Sequence, residues 1–221
     1  MPVNVSRIIR SKRRTIALIV ERDGSITVRA PRQMSVKAIT GFVEKHARWA
    51  EKKQAELHSI APVQPRRYEA GEQFLYLGHA YPLEVVRGTN GKLVLNGSFQ
   101  LDESEQGNAE LIFRNWYRAQ AGKIIGQRAT VFAAQFQIAV GKIRITSART
   151  RWGSCSANGT LSFSWRLLMT PLEVIDYVVV HELAHTVHHN HSHRFWKLVE
   201  AWMPDYKERR NLLRQYAQES I

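Results

Sequence analysis

The stretch TPLEVIDYVVVHELAHTVHHNHSHRFW, Thr170–Trp196, decides how this chain is read. It holds six of the nine histidines, all between His181 and His193. Within it, His181-Glu182-Leu183-Ala184-His185 sets two histidines four residues apart. On a helix, residues i and i+4 share a face about 6 Å apart. Only then can both imidazoles reach one ion at about 2.0–2.1 Å. The residues before the motif predict that helix. Thr170 stands as N-cap, Pro171 as the first helical residue, and Glu173 completes a capping box. Ile175, Val178, Val179 and Leu183 supply the apolar faces.

A zinc ion that does chemistry needs a third protein ligand and an open fourth position. The candidates are His188, His189, His191, His193 and Cys155. His189 continues the same helix face, but one turn displaces it by about 5.4 Å. His191 reaches the ion only if the helix ends first. Asn190 predicts that end, because asparagine tolerates the left-handed conformation that terminates helices. Ser192 then caps a helix over Arg194–Trp202, and His193 faces solvent. Spacing therefore favours His191. The bland alternative is a histidine-rich helix end that holds no metal.

Upstream, Thr15–Val20 and Ser25–Ala30 flank Asp23-Gly24 and predict a hairpin. Ser35 opens a helix ending near His58, before a loop with Pro62 and Pro65. Phe74–Leu77, Tyr81–Val86 and Lys92–Leu95 read as short strands, and Asp102–Gly107 as an acidic loop. A long helix follows from Asn108 to Gln135, with Leu111, Ile112, Trp116, Ala119, Ile124 and Val131 as core contacts. Gly122 and Gly126 permit close packing or a bend in it. Ile138–Ile145 and Leu161–Trp165 read as strands joined through Arg151–Gly159.

The 221 residues suffice for a core without disulfides, and the single cysteine, Cys155, excludes a disulfide-stapled scaffold. The apolar run Ile16–Val20 is too short for a signal sequence or a membrane span, so a cytoplasmic location without membrane contact is expected. The formal charge is +13. Residues 1–60 carry 13 basic and 5 acidic side chains, residues 61–110 carry 4 and 7, and residues 111–221 carry 15 and 7. Such a field attracts polyanions, so nucleic acid is a candidate partner, with Arg10, Lys12, Arg13 and Arg14 as the first residues to test.

Several segments together resemble the YgjP-like metallopeptidase family, related to the SprT and WLM groups of zinc proteases. They are Arg151-Trp152-Gly153-Ser154-Cys155-Ser156, Leu161 through Leu167, Pro171 through His185, and Asn190-His191-Ser192 with Phe195-Trp196. The one departure is Ser164, where the family often carries Asn before the Trp. The resemblance implies His181, His185 and His191 as metal ligands, Glu182 as the catalytic acid/base, and Zn2+ as the cofactor. It implies an α+β fold. Residues 1–107 are expected to form an N-terminal β-rich region with one helix. Residues 108–221 are expected to form a zincin-like helical metallopeptidase core with a small antiparallel sheet. The expected activity is hydrolysis of peptide bonds, with Glu182 taking a proton from water and later passing it to the leaving amine. Arg151, Arg166 and Tyr177 are candidates to stabilise the oxyanion. The segment Arg151–Ser156 reads either as packing near the site or as a strand edge that pairs with a substrate peptide. Two rival readings stand beside this one: a peptide deformylase-like hydrolase with Cys155 as ligand, and a basic nucleic-acid-associated protein whose metal is structural.

Overall fold

The computed structural model describes residues 4–21, 23–59 and 66–219. Arg22 and the expected loop with Pro62 and Pro65 lie outside the described residues. The chain divides into two compact units, Met1–Gln64 and Pro65–Ile221. The expected boundary at residue 107 falls inside the second unit, because the strands before it and the long helix after it share one core.

In the first unit, β1 (Arg7–Ser11), β2 (Ala17–Val20) and β3 (Ile26–Pro31) form a sheet of order β1-β3-β2. The β2–β3 pair is the expected hairpin, closed where Glu21 N–H donates to Ser25 O and Gly24 takes φ +78°. β1 pairs in parallel with β3. Ser35 caps α1 (Val36–Lys45) through a bond from Ala38 N–H. The single helix expected to His58 is instead α1 followed by α2 (Ala47–Ser59). The break is at His46, whose N–H turns back to Val43 O. Val28, Ala30, Ile39 and Val43 form this unit's core.

In the second unit, β4 (Gln73–Tyr76), β5 (His79–Val86), β6 (Val94–Asn96) and β7 (Ser98–Asp102) form a sheet of order β4-β5-β7-β6. Glu103–Asn108, which takes in most of the expected loop Asp102–Gly107, is a 3-10 helix opened by the Asp102 side chain. It leads into α3 (Ala109–Gln135). The buried stripe of α3 is Ala109, Phe113, Tyr117, Ala121, Ile125, Ala129 and Ala133, spaced by four. The expected contacts Leu111 and Val131 are instead about half exposed, and Ala119 is exposed. Four alanines on the stripe let α3 pack closely, alongside the large side chains Phe113, Tyr117 and Ile125. Gly122 and Gly126 approach nothing, so neither serves close packing.

β8 (Ile143–Thr146), β9 (Gly153–Cys155) and β10 (Leu161–Ser164) make a third sheet of order β8-β10-β9. It is mixed and not purely antiparallel, since β8 runs parallel to β10. β9 is one of its two edge strands. A 3-10 turn, Trp165–Met169, connects to α4 (Leu172–Val187), and α5 (His193–Trp202) and α6 (Tyr206–Glu219) complete the chain. Helices and sheets in separate groups make this an α+β fold. Asp176 of α4 takes two bonds from Arg128 of α3, at 2.5 and 2.6 Å, and lies 4.0 Å from Arg209 of α6. This ties three helices together behind the histidines.

Candidate metal centre

α4 carries the motif as the spacing predicts, but it starts differently. Pro171 occupies the N-cap and the helix begins at Leu172. Thr170 instead closes the preceding 3-10 turn, its Oγ1 donating to Leu167 O at 2.8 Å. The helix also ends earlier than expected. His188 is the C-cap, with φ −129°, and Asn190 is not left-handed. Asn190 acts by its side chain, whose Oδ1 accepts from Ser192 N–H at 3.3 Å. Ser192 is the N-cap of α5, which begins at His193.

That short turn returns His191 to the helix. His191 Nε2 lies 3.0 Å from His181 Nε2 and 3.2 Å from His185 Nε2. Three nitrogens arranged tetrahedrally about an ion at 2.0–2.1 Å lie about 3.3–3.4 Å apart, so the donor set fits one ion. His185 Nδ1 is 3.0 Å from His188 O. A carbonyl only accepts, so Nδ1 is the protonated nitrogen and Nε2 presents a lone pair to the site. Burial and the neighbouring histidines push His181 down to about 3, which keeps its ring neutral, as ligation requires. Phe195, fully buried, packs on all three rings, stacked on His185 at 4.5 Å and edge-on to His181 and His191 at 4.9 Å. Trp196 stacks on His191 at 5.6 Å. The Phe-Trp pair therefore sets the ring orientations.

Glu182 follows His181 on α4 and is 6% exposed. Burial pushes its carboxyl up to about 7, opposed by the guanidinium of Arg151. A proton acceptor poised near neutrality suits acid–base work. Gly153 of β9 lies directly over it: a Cβ at this position would stand 2.6 Å from Glu182 Oε1. Sequence reasoning placed Gly153 near the site without this role. A glycine in a short strand beside a motif was the only signal.

The remaining candidates separate clearly. The histidine cluster among the described residues is His181, His185 and His191, without Cys155, His188, His189 or His193. The Cys155 thiol is pushed up by burial and by Glu182. Among the described residues, Cys155 stands outside the cluster that a deformylase-like ligand set would need. Arg166 lies 4.3 Å over Trp165 and donates to Ser147 O, a packing role. Tyr177 is buried, its hydroxyl pushed up to about 12, with its ring 5.8 Å from that of His181. Arg151 is exposed and within electrostatic reach of Glu182. Of the basic run, Arg10 is committed within its own unit, donating to Pro31, Arg32 and Met34 carbonyls. Among the described residues, no helix is long and apolar enough to cross a membrane.

A solved structure described as the metallopeptidase zymogen of Pyrococcus abyssi abylysin is 24% identical, covering 42% of this chain and 95% of that one, with a TM-score of 0.40. No curated protein matches the chain. A family model for the YgjP-like metallopeptidase domain matches residues 14–216, a span that takes in both units and every histidine of the triad. By that match the chain belongs to the YgjP-like metallopeptidase family.

Proposed function

We propose that this metallopeptidase is a zinc-dependent enzyme in which His181, His185 and His191 hold the ion and Glu182 is the general base. The observation that carries the reading is the convergence of three Nε2 atoms, with the buried Glu182 next to His181 on the same helix. Zinc, when bound, supplies a Lewis acid and brings the pKa of a water to about 7. Glu182 takes the water's proton and passes it to the leaving amine. Its raised affinity for a proton fits it to both transfers.

The edge strand supports a peptide substrate. Ser164 N–H donates to Trp152 O, and Ser156 N–H donates to Thr160 O, so alternate residues of β9 face β10. Gly153 and Cys155 then turn their own N–H and C=O groups to the open edge. An extended peptide can pair there beside Glu182.

The test is metal analysis of purified protein together with cleavage of a peptide library by wild type and Glu182→Gln. Zinc near one per chain is expected in both. Hydrolysis should fall by orders of magnitude in the variant, since the proton transfer is removed. Unchanged hydrolysis by the zinc-loaded variant would sink the mechanism.

A further inference from the structure

Glu182 is positioned by shape and not by bonding. Among the described residues, it has no hydrogen-bond or ion-pair partner. A glutamate with three rotatable bonds and no such anchor holds one direction only if its neighbours leave it no other. The neighbour in question is the Gly153 backbone. A Cβ there would lie 2.6 Å from Glu182 Cγ, 2.6 Å from Oε1 and 2.8 Å from Cδ. Three atoms of the side chain thus lie flush against the strand. Gly153 does not take a left-handed φ, so its conformation is open to any residue, and space alone demands glycine.

We propose that Gly153 is a positioning residue: its bare backbone is the wall that holds the Glu182 carboxylate in line with the histidine triad. The inference rests on Glu182 being the general base. A methyl group at position 153 meets Glu182 from Cγ outward, a flexible side chain that can swing aside. The three atoms nearest to it all belong to Glu182 and none to an imidazole, so metal binding should be retained. A displacement of about 1 Å at a catalytic group costs on the order of 100-fold in rate.

The experiment compares wild type, Gly153→Ala, Glu182→Gln, Glu182→Ala and the double variant Gly153→Ala/Glu182→Ala. A quenched fluorogenic peptide that the wild type cleaves serves as substrate. Gly153→Ala should lower kcat about 10- to 100-fold with KM within about twofold and zinc content unchanged. An effect on peptide pairing at the strand edge would appear in KM instead. Melting of the metal-free proteins supplies a second readout. Gly153→Ala should lower the midpoint by several degrees more in the wild-type background than in the Glu182→Ala background, where the clashing atoms are gone. If Gly153→Ala alone fails to fold, the double variant should fold. Wild-type kcat in Gly153→Ala, a loss of zinc parallel to the loss of kcat, or equal melting shifts in both backgrounds would overturn the proposal. Glu182→Gln separates the two claims: full activity in that variant defeats the general-base reading itself, whatever Gly153→Ala does.

Discussion

Glu182 is an unusual residue to bury, since a carboxylate taken from water without a partner is costly. The cost has a measurable sign. The folded chain holds the Glu182 proton up to about pH 7, against an ordinary value of 4.5. Between these two values the folded state binds more protons than the unfolded state, so stability falls as pH rises and the loss is complete above about 7. Glutamine has the same shape and no charge. Metal-free Glu182→Gln should therefore match metal-free wild type below about pH 4.5 and exceed it by about 3 kcal/mol at pH 8. Urea denaturation of both proteins across that range measures the difference. A gap that fails to widen with pH would mean that burial does not control this carboxyl. Activity and metal-free stability should thus move in opposite directions at one residue, as expected where function is held against folding preference.

The elements that bring this residue to the histidines are fixed by close approaches. The β4–β5 hairpin turns at Leu77 and Gly78, both with positive φ (+50° and +83°). Its tip meets the start of α4, and Leu77 N–H donates to Leu168 O at 2.7 Å. A Cβ on Gly78 would lie 2.7 Å from Pro171 Cγ and 3.1 Å from Pro171 Cα, rigid atoms that cannot swing away. Gly78→Ala should cost about 2–3 kcal/mol through left-handed strain plus this clash, read as a lower thermal midpoint. A neutral substitution would show that the hairpin can move off α4. Such contacts explain what the sequence could and could not disclose. α4 was legible because its apolar run, its two histidines and its flanking Pro171 are all local. Its N-cap was misread by one residue because Thr170 had a competing bond to Leu167 O. β1 escaped notice because its partner, β3, lies across β2 in a parallel pairing. The inner face of α3 was only partly legible: Ile112, Trp116 and Ile124 do pack against the core, but the buried stripe runs beside them and includes four alanines that hydrophobic size does not mark. The role of Gly153 was invisible, since nothing in its own neighbourhood records the side chain it accommodates.

Taken as one molecule, the protein couples metal to folding through very few residues. The three histidines proposed as ligands sit on α4 and on the turn before α5, and α4 runs through the centre of the second unit, with Val174, Ile175, Val178, Val179, Val180 and Leu183 in its core. An ion held there binds the folded state and finds no such site in the unfolded chain, so it stabilises by mass action. At one hundred times its dissociation constant the gain is about 2.7 kcal/mol. For a chain of this size, 1 kcal/mol shifts the melting temperature by about 2–4 °C. Zinc added to chelator-treated protein should therefore raise the midpoint by about 5–10 °C, and chelator should reverse it. His185→Ala should abolish the shift, because it removes the ligand whose orientation the His188 carbonyl fixes. His193→Ala, which changes an exposed histidine outside the triad, should retain it. Scanning calorimetry with and without zinc distinguishes the two. A zinc shift that survives His185→Ala would place the ion elsewhere among the histidines and undo the assignment of His191 as third ligand.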